Sequence, residues 1–469
     1  MSSLFGTMSV ALQSLMAQQS ALEVVANNVA NVNTPGYSRE VAVMEESPPI
    51  LSGNTLVGTG VTMSSVQSVR DNILNLRIDQ ETSQQSSLNS YVDSMNQVQA
   101  LFNETQGTGL QTDLSNFFNS FQSLATDPTD SSLRQSVITA GQDLASAFNQ
   151  TSQNMSTIQQ GLDQSVVQTV QQVNTLTAQV ASLNQQIQSV SISGNNPGSL
   201  EDQRDEDLAN LSSLIDTAVI YSNDGSVSVT TSNGTALVSG NQSDALTTQV
   251  NSSTGMQDVF AQGTDITSSI AGGQLQGLIS SRDDSIPAAQ SSLDNLAAGI
   301  ISAVNTQQTA GYDLIVSQGV LEKGDDFFTS FTPSTPGSNA GAAATMTVAL
   351  TDPSQIAASS DGTAGDNGNA TALANLQNEP IVSGQTAGDY YSSLIDQVGN
   401  DVSNATSEQE AVGLVLQQLT NQQGSISGVS LDEEATNLVM YQQAYEAAAR
   451  VISVADELNQ ATIDMLPQS

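Results

Sequence analysis

The amino-acid sequence predicts a mainly α-helical chain with a β insertion: long N- and C-terminal helices paired as a coiled coil, a rod-like helical middle domain, and a small inserted β domain. Three features carry this reading. Apolar residues recur at heptad spacing at both chain ends, and a stricter heptad repeat runs through residues 155–190. Between residues 217 and 270 the period changes, and short apolar runs alternate with turn sequences.

Residues 3–33 read as one helix, with Leu4, Ala11, Val25 and Val32 on one register and Met8, Leu15, Leu22 and Val29 on the other. At ~1.5 Å per residue it would be about 45 Å long. Glu23 is the only charged side chain from Met1 to Ser38, so the polar face is Gln, Ser and Asn where a solvated helix normally carries charge. Asn33-Thr34-Pro35-Gly36-Tyr37 stops the helix, because proline lacks an amide donor and glycine permits positive φ. At the other end, Ser430 and Glu433 form a capping box ahead of a stripe of Leu431, Leu438, Tyr445 and Ile452, filled in by Tyr441, Ala448 and Ala455. Glu446 and Arg450 stand one turn apart in the order that favours an ion pair, an expected contribution of about 0.3 kcal/mol.

In the middle, Met155, Leu162, Leu176, Leu183 and Val190 occupy one heptad position and Val166, Val173, Val180 and Ile187 the other, which predicts a coiled-coil-like seam. Ser191 to Gly198 breaks it, and Ser199-Leu200-Glu201-Asp202 caps a return helix through Leu208, Leu211 and Ile215, so a helical hairpin is expected. Val219, Val227, Val229, Leu237 and Val238 are separated by Asn223-Asp224-Gly225 and Ser232-Asn233-Gly234, which is hairpin-turn chemistry. Helix is expected again from Asp283 to Asn305, then a strand pair around Met346, Val348 and Leu350. A surface loop at Asp361 to Asn369 and a helix from Asp389 to Gln423 complete the reading. The expected domains are 1–38 with 428–469, a terminal coiled-coil assembly domain; 39–216 with 271–427, a helical middle domain with a small β element near 327–352; and 217–270, the inserted β domain.

Composition narrows the function. The 469 residues carry 8 Lys+Arg against 47 Asp+Glu, a formal net charge of -39 that repels nucleic acid phosphates and anionic membrane surfaces; neither is an expected partner. Cysteine, histidine and tryptophan are absent, which removes disulfides, thiolate and imidazole nucleophiles and the usual zinc ligands. No run approaches the ~20 apolar residues that span a bilayer. The first residues lack a basic cluster, and Gly6, Ser9, Gln13 and Ser14 interrupt any apolar core, so no cleaved signal peptide is expected. Asp283-Asp284 and Glu433-Glu434 are the only material for a glycosidase-like acid and base, as in a secreted peptidoglycan hydrolase; with 4% aromatic residues and no sugar-stacking Trp, solvated surface is the preferred reading. Asp361, Asp366 and Asn367 lack the spacing of a calcium loop, and no phosphate-cradling or dinucleotide motif is present. No catalytic residue, metal or cofactor is therefore expected, and the chain is not expected to be an enzyme.

Ala26-Asn27-Asn28-Val29-Ala30-Asn31-Val32-Asn33-Thr34-Pro35-Gly36-Tyr37 resembles the amino-terminal signature of flagellar rod, hook and hook-associated proteins. Ser427-Gly428-Val429-Ser430-Leu431-Asp432-Glu433-Glu434-Ala435, with Gln442-Gln443-Ala444-Tyr445 and Ala455-Asp456-Glu457, is similar to their carboxy-terminal signature. The long helical hairpin ending in Asp202-Gln203-Arg204-Asp205, with Gly272-Gly273-Gln274-Leu275, Arg282-Asp283 and Gly311-Tyr312-Asp313-Leu314, resembles the hook-associated protein 1 family in particular. The resemblance implies a hook-filament junction subunit outside the cell, with copies of itself, the hook protein and a second junction protein as partners. It also implies export through the flagellar channel and a cytoplasmic chaperone on the region from Leu438 to Leu466. Another axial subunit, of hook or filament type, is the alternative.

Periodicity alone would make the terminal stripes an ordinary core inside one monomer. The near absence of charge and the signatures turn the reading toward burial among neighbouring subunits. The expected assembly interface is Leu4, Met8, Leu15, Leu22, Val25, Asn28, Val29 and Asn31 with Leu431, Leu438, Tyr441, Tyr445, Ile452 and Ala455. Asn28 and Asn31 share a helix face, and two readings stand for them: inter-subunit hydrogen bonding, or local capping.

Overall fold

The computed structural model describes residues 2–52, 55–102, 109–317, 320–332, 335 and 337–464. Leu466, the far end of the expected chaperone segment, lies outside them. Helix α1 (Ser2–Ala30) leads through the turn at Gly36, whose φ is +77°, into two nested antiparallel hairpins. Strand β1 (Glu40–Glu46) pairs with β4 (Val61–Ser68), and β2 (Ile50–Ser52) with β3 (Thr55–Val57) at the tip. The sequence reading placed these residues in a helical domain. A bulge between Val43 and Met44 interrupts the two-residue alternation, and most side chains are only half-buried, so the strands leave little period to read.

Helix α2 (Asn72–Leu101) is capped by Asp71, whose carboxylate accepts from the Ile73 and Leu74 amides. Helix α3 (Leu110–Leu124) follows, then α4 (Ser131–Ile192), whose 62 residues span about 93 Å at ~1.5 Å each. Helix α5 (Gly198–Leu214) returns along α4, the hairpin the heptad break predicts. Met155, Leu162, Val166, Val173, Val180 and Ile187 are buried, so this repeat marks the core line of one subunit.

Strands β5 (Ala218–Tyr221), β6 (Val227–Thr230), β7 (Ala236–Ser239) and β8 (Gln242–Ser243) form a four-stranded meander. Strands β9 (Leu246–Val250), β10 (Gln257–Ala261) and β11 (Thr264–Asp265) form a three-stranded sheet beside it. The turns use Gly225 and Gly234 at φ +83° and +84°, as Asn-Asp-Gly and Ser-Asn-Gly require. Two asparagines of α4 clip these sheets to the helix through their amides. Asn184 donates to Val227 O at 2.8 Å and accepts from its N–H at 3.1 Å; Asn174 does the same with Leu246 at 2.8 and 2.7 Å.

Helix α6 (Gly273–Ser280) continues through a π turn (Ser281–Ser285) into α7 (Ile286–Ala310). Arg282, fully buried in that turn, binds Asp163 at 2.7 Å, the Gln257 carbonyl at 2.8 Å and its neighbour Asp283 at 2.7 Å, tying α7 to α4 and β10. The next strand pair is β12 (Tyr312–Ser317) with β13 (Val320–Lys323), earlier than the expected pair; Val348 makes only an isolated bridge with Phe328. Met346 and Leu350 instead join the core around Phe117, Phe118, Phe121, Phe327 and Phe328. Helices α8 (Ala342–Thr345), α9 (Gly368–Asn375) and α10 (Ala387–Ser427) follow; α9 begins inside the expected surface loop because Asn369 and Ala370 are buried under Ala358. Helix α11 (Leu431–Asp464) closes the chain against α1, antiparallel to it.

Candidate assembly site

The terminal pair is seamed mainly by small side chains. Ala11, Ala17, Ala21, Val24 and Val25 of α1 are buried, as are Ala448 and Ala455 of α11. Alanine lets two helix backbones approach closely while contributing little apolar area. Of the sequence-predicted residues, the structure buries Val25, Asn28 and Ala455. It leaves Leu4, Met8, Leu15, Leu22, Asn31, Tyr441, Tyr445 and Ile452 half-buried, and exposes Val29, Leu431 and Leu438. Phe5, Leu12, Met16, Val439, Met440, Val451, Val454 and Leu458 are exposed on the same pair, an unusual amount of open apolar surface for a chain alone in water.

Asn28 is 1% exposed and works inside the chain. Its Nδ2 donates to Glu40 O at 2.8 Å and to Glu434 Oε1 at 3.1 Å; its Oδ1 accepts from Glu40 N at 2.9 Å and from the Tyr37 hydroxyl at 2.8 Å. One amide thus joins the end of α1, the first strand and the first turn of α11, across 406 positions of sequence. Asn31 is local: its Nδ2 donates to Asn27 O, and its Oδ1 accepts from Thr34. Beside them Arg39 pairs with Glu433 at 2.6 Å and donates its backbone N–H to Ser427 O at 2.8 Å. Glu433 therefore serves the latch; its amide stands 3.5 Å from Ser430 Oγ, a long version of the expected cap. The expected Glu446 to Arg450 ion pair is not formed among the described residues, and both side chains are exposed.

Burial raises the Glu434 carboxyl above its ordinary pKa, against the Asn28 hydrogen bond and the Arg39 charge, which lower it. Its Oε2 is buried without a hydrogen-bond partner. Burial, then the Glu40 charge, also raises the Tyr37 phenol, which keeps it protonated and donating. Sequence reasoning missed Tyr37, Arg39, Glu40 and Glu434. The available signal was position, since Tyr37 and Glu434 lie within the two signatures and Arg39 and Glu40 just after the first, and a motif at either end invites a contact between them.

The amino-terminal loop also meets the body. Pro35, Gly36 and Ser38 wall a cavity of about 250 Å³ with Asp79 of α2, Asp205 of α5 and Tyr221 of β5. Arg70 holds the wall residue Asp205 at 3.3 Å, and also binds Glu201 at 3.3 Å, Asp202 at 2.8 Å and Gly198 O at 2.6 Å. Burial, then the Asp205 charge, pushes Asp79 up to about 7; burial, against Arg70 and Arg204, pushes Asp205 up to about 6. Asp205 is engaged by Arg70, Asp283 by Arg282 and Glu433 by Arg39, so these carboxylates act as fasteners. Among the described residues no group of three or more acids clusters as a metal site.

A mostly helical rod whose two ends lock together through their own motifs has the build of a flagellar axial protein. The model for "Flagella basal body rod protein" matches residues 8–37, and that for "Flagellar basal body rod FlgEFG protein C-terminal" matches 422–465. Asn28 lies in the first and Glu434 in the second. "Flagellar hook-associated protein FlgK helical domain" matches residues 95–328. Flagellar hook-associated protein 1 of Bacillus subtilis is 32% identical over 98% of this chain and 97% of its own length. The protein of that name from Escherichia coli is 29% identical over 97% and 98%. The flagellar hook junction protein FlgK from Burkholderia pseudomallei has the same fold, at a TM-score of 0.64 and 20% identity, over 75% of this chain and all of that one. The chain belongs to the flagellar hook-associated protein 1 family.

Proposed function

We propose that this protein is a structural component of the bacterial flagellum that forms the junction between hook and filament by ordered self-assembly. The observation that carries the reading is the pole at which α1 and α11 are latched by Asn28 and Glu434, with apolar side chains left open along both helices. A protein with that much unpartnered apolar surface at one end is suited to burial among copies of itself in a tube. Its other partners are the hook protein on one side and the second junction protein on the other. Before export, a cytoplasmic chaperone covers the region from Leu438 to Leu466, and the chain leaves without signal cleavage. Its work is mechanical: of the carboxylate pairs that would serve a hydrolase, Glu433 is ion-paired with Arg39 and Asp283 with Arg282, and Glu434 is hydrogen-bonded to Asn28.

A deletion strain tests this. Cells lacking the protein should build hooks without attached filaments and release monomeric flagellin into the medium, and re-expression should restore attachment. Normal filaments in the deletion strain would overturn the proposal.

A further inference from the structure

The β2–β3 hairpin carries apolar side chains open to solvent: Ile50, Leu51, Leu56 and Val57 are 58%, 71%, 67% and 46% exposed. Its stem carries Glu45 and Glu46, both exposed. The direction of the hairpin is fixed by its contacts with α1. One end is bonded to Asn28 through Glu40, and further along, Ser47 lies 3.4 Å from Gln13 while a side chain at Gly60 would touch Val10 and Gln13. The tip therefore projects past Val10, toward the amino end of α1.

At that same end Leu4 and Thr7 of α1 and Val451, Val454, Ala455 and Leu458 of α11 line an apolar groove of about 380 Å³, with Arg450 among its walls. Arg450 is one of eight cations in the chain, and six of the others are engaged internally. Only Arg77 and Arg450 have no hydrogen bond or ion pair among the described residues. An acidic stem approaching a like copy of net charge -39 thus finds attraction at few places, and Arg450 is the cation beside an apolar groove.

The dimensions agree. From Arg450 to Leu458 is about 12 Å along a helix at ~1.5 Å per residue. From Glu46 to Ile50 is about 13 Å along extended chain at ~3.3 Å per residue. The two features also run the same way, from charge to apolar end, toward the amino end of α1. We infer that the β2–β3 hairpin of one copy docks sideways into the α1/α11 groove of a second copy of this chain, with the apolar tip in the groove and the Glu45/Glu46 stem at Arg450. Each copy then offers its tip to one neighbour and its groove to another, a head-to-tail contact that closes a ring or winds a helix. The inference rests on the self-assembly proposed above.

The chain has no cysteine, so an introduced pair reports without background. The full chain carrying Leu51→Cys and Val454→Cys is expressed in flagellated cells lacking their own copy, and isolated flagella are oxidised and run without reductant. Disulfide-linked oligomers are expected, collapsing on reduction and absent from a Leu51→Cys/Ile192→Cys control. Attached filaments with the protein still monomeric on the gel, or a link only within one chain, would overturn the docking while leaving the junction role intact. Failure of the unsubstituted chain to restore filaments would instead count against the junction role. Independently, Arg450→Glu should lose attachment, and adding Glu45→Lys and Glu46→Lys should restore it. Attachment by Arg450→Glu alone, or no rescue by a triple variant of unchanged helical content, refutes the pairing.

Discussion

Replacing Asn28 with Ala removes a side chain that satisfies four partners in a site 1% exposed, where water cannot enter without separation of the helices. The largest loss falls on Glu434. Its Oε2 already lacks a partner, so removing the Asn28 donor strips the remaining hydrogen bond from a buried carboxylate. Counting that group together with the stranded Glu40 amide and Tyr37 hydroxyl, and allowing for relaxation, the cost is about 3 kcal/mol. A cost of that size raises the population of the locally opened terminus about a hundredfold. Hydrogen exchange read by mass spectrometry should show residues 22–40 and 431–446 exchanging faster together, with α4 unchanged. Asn28→Asp should be worse at neutral pH, because it loses both donors and sets a second carboxylate against Glu434. It should approach the alanine variant as the pH is lowered, once one proton bridges the pair. Unchanged exchange in both segments, or acceleration in only one, would refute the view that this amide holds the two ends together.

The remaining predictions concern the body. Asp79, pushed up to about 7 from 3.8, stabilises the fold in its protonated form, so its contribution is full below about pH 4 and lost as pH rises through about 7. The thermal midpoint should fall between pH 5 and pH 8, and Asp79→Asn should flatten that fall, with a gain at pH 8 of up to about 3–4 kcal/mol; identical slopes in the two proteins would contradict it. Gly277 lies where a Cβ would collide with the backbone carbonyl of Ser87 and approach Ser90 and Tyr91 within 2.9 Å. Gly277→Ala should therefore force α6 off α2 and lower the denaturant midpoint by the equivalent of about 3 kcal/mol. Arg282→Met should cost about 3–5 kcal/mol, since it strands Asp163 and the Gln257 carbonyl around a buried site, and calorimetry would read it directly.

Much of this architecture was legible because long helices carry their own period. The stripe from Met155 to Ile187 and the break before Gly198 located α4 and α5, and two glycine turns located the inserted sheets. What stayed hidden lacks a local signature. The β1–β4 hairpin is bulged and half-exposed, and β12–β13 is short. In the amino-terminal motif the residue types pointed to the right amides but could not say where they bond. Asn28 reads as a capping or interface residue because its partner stands 406 positions away. The stripes included Ala11, Ala448 and Ala455 of the seam but passed over Ala17 and Ala21, since a methyl group registers weakly in a hydrophobic period. Glu446 and Arg450 show the opposite error: a spacing ideal for an ion pair stands open.

The placement of the basic residues bears on survival outside a cell. Endoproteases that cut after arginine or lysine find eight possible sites in the sequence. Arg134, Arg204 and Arg282 are buried and Arg39 and Arg70 are half-buried in ion pairs; Lys323 is exposed but lies over the Tyr312 ring with its amine on the Ala310 carbonyl. Arg77 and Arg450, the other exposed positions, sit within helices α2 and α11, whose backbone must unwind before it can enter a cleft. The folded subunit thus offers trypsin-like enzymes almost no foothold, and if Arg450 is covered by a neighbour, the assembled joint loses one more.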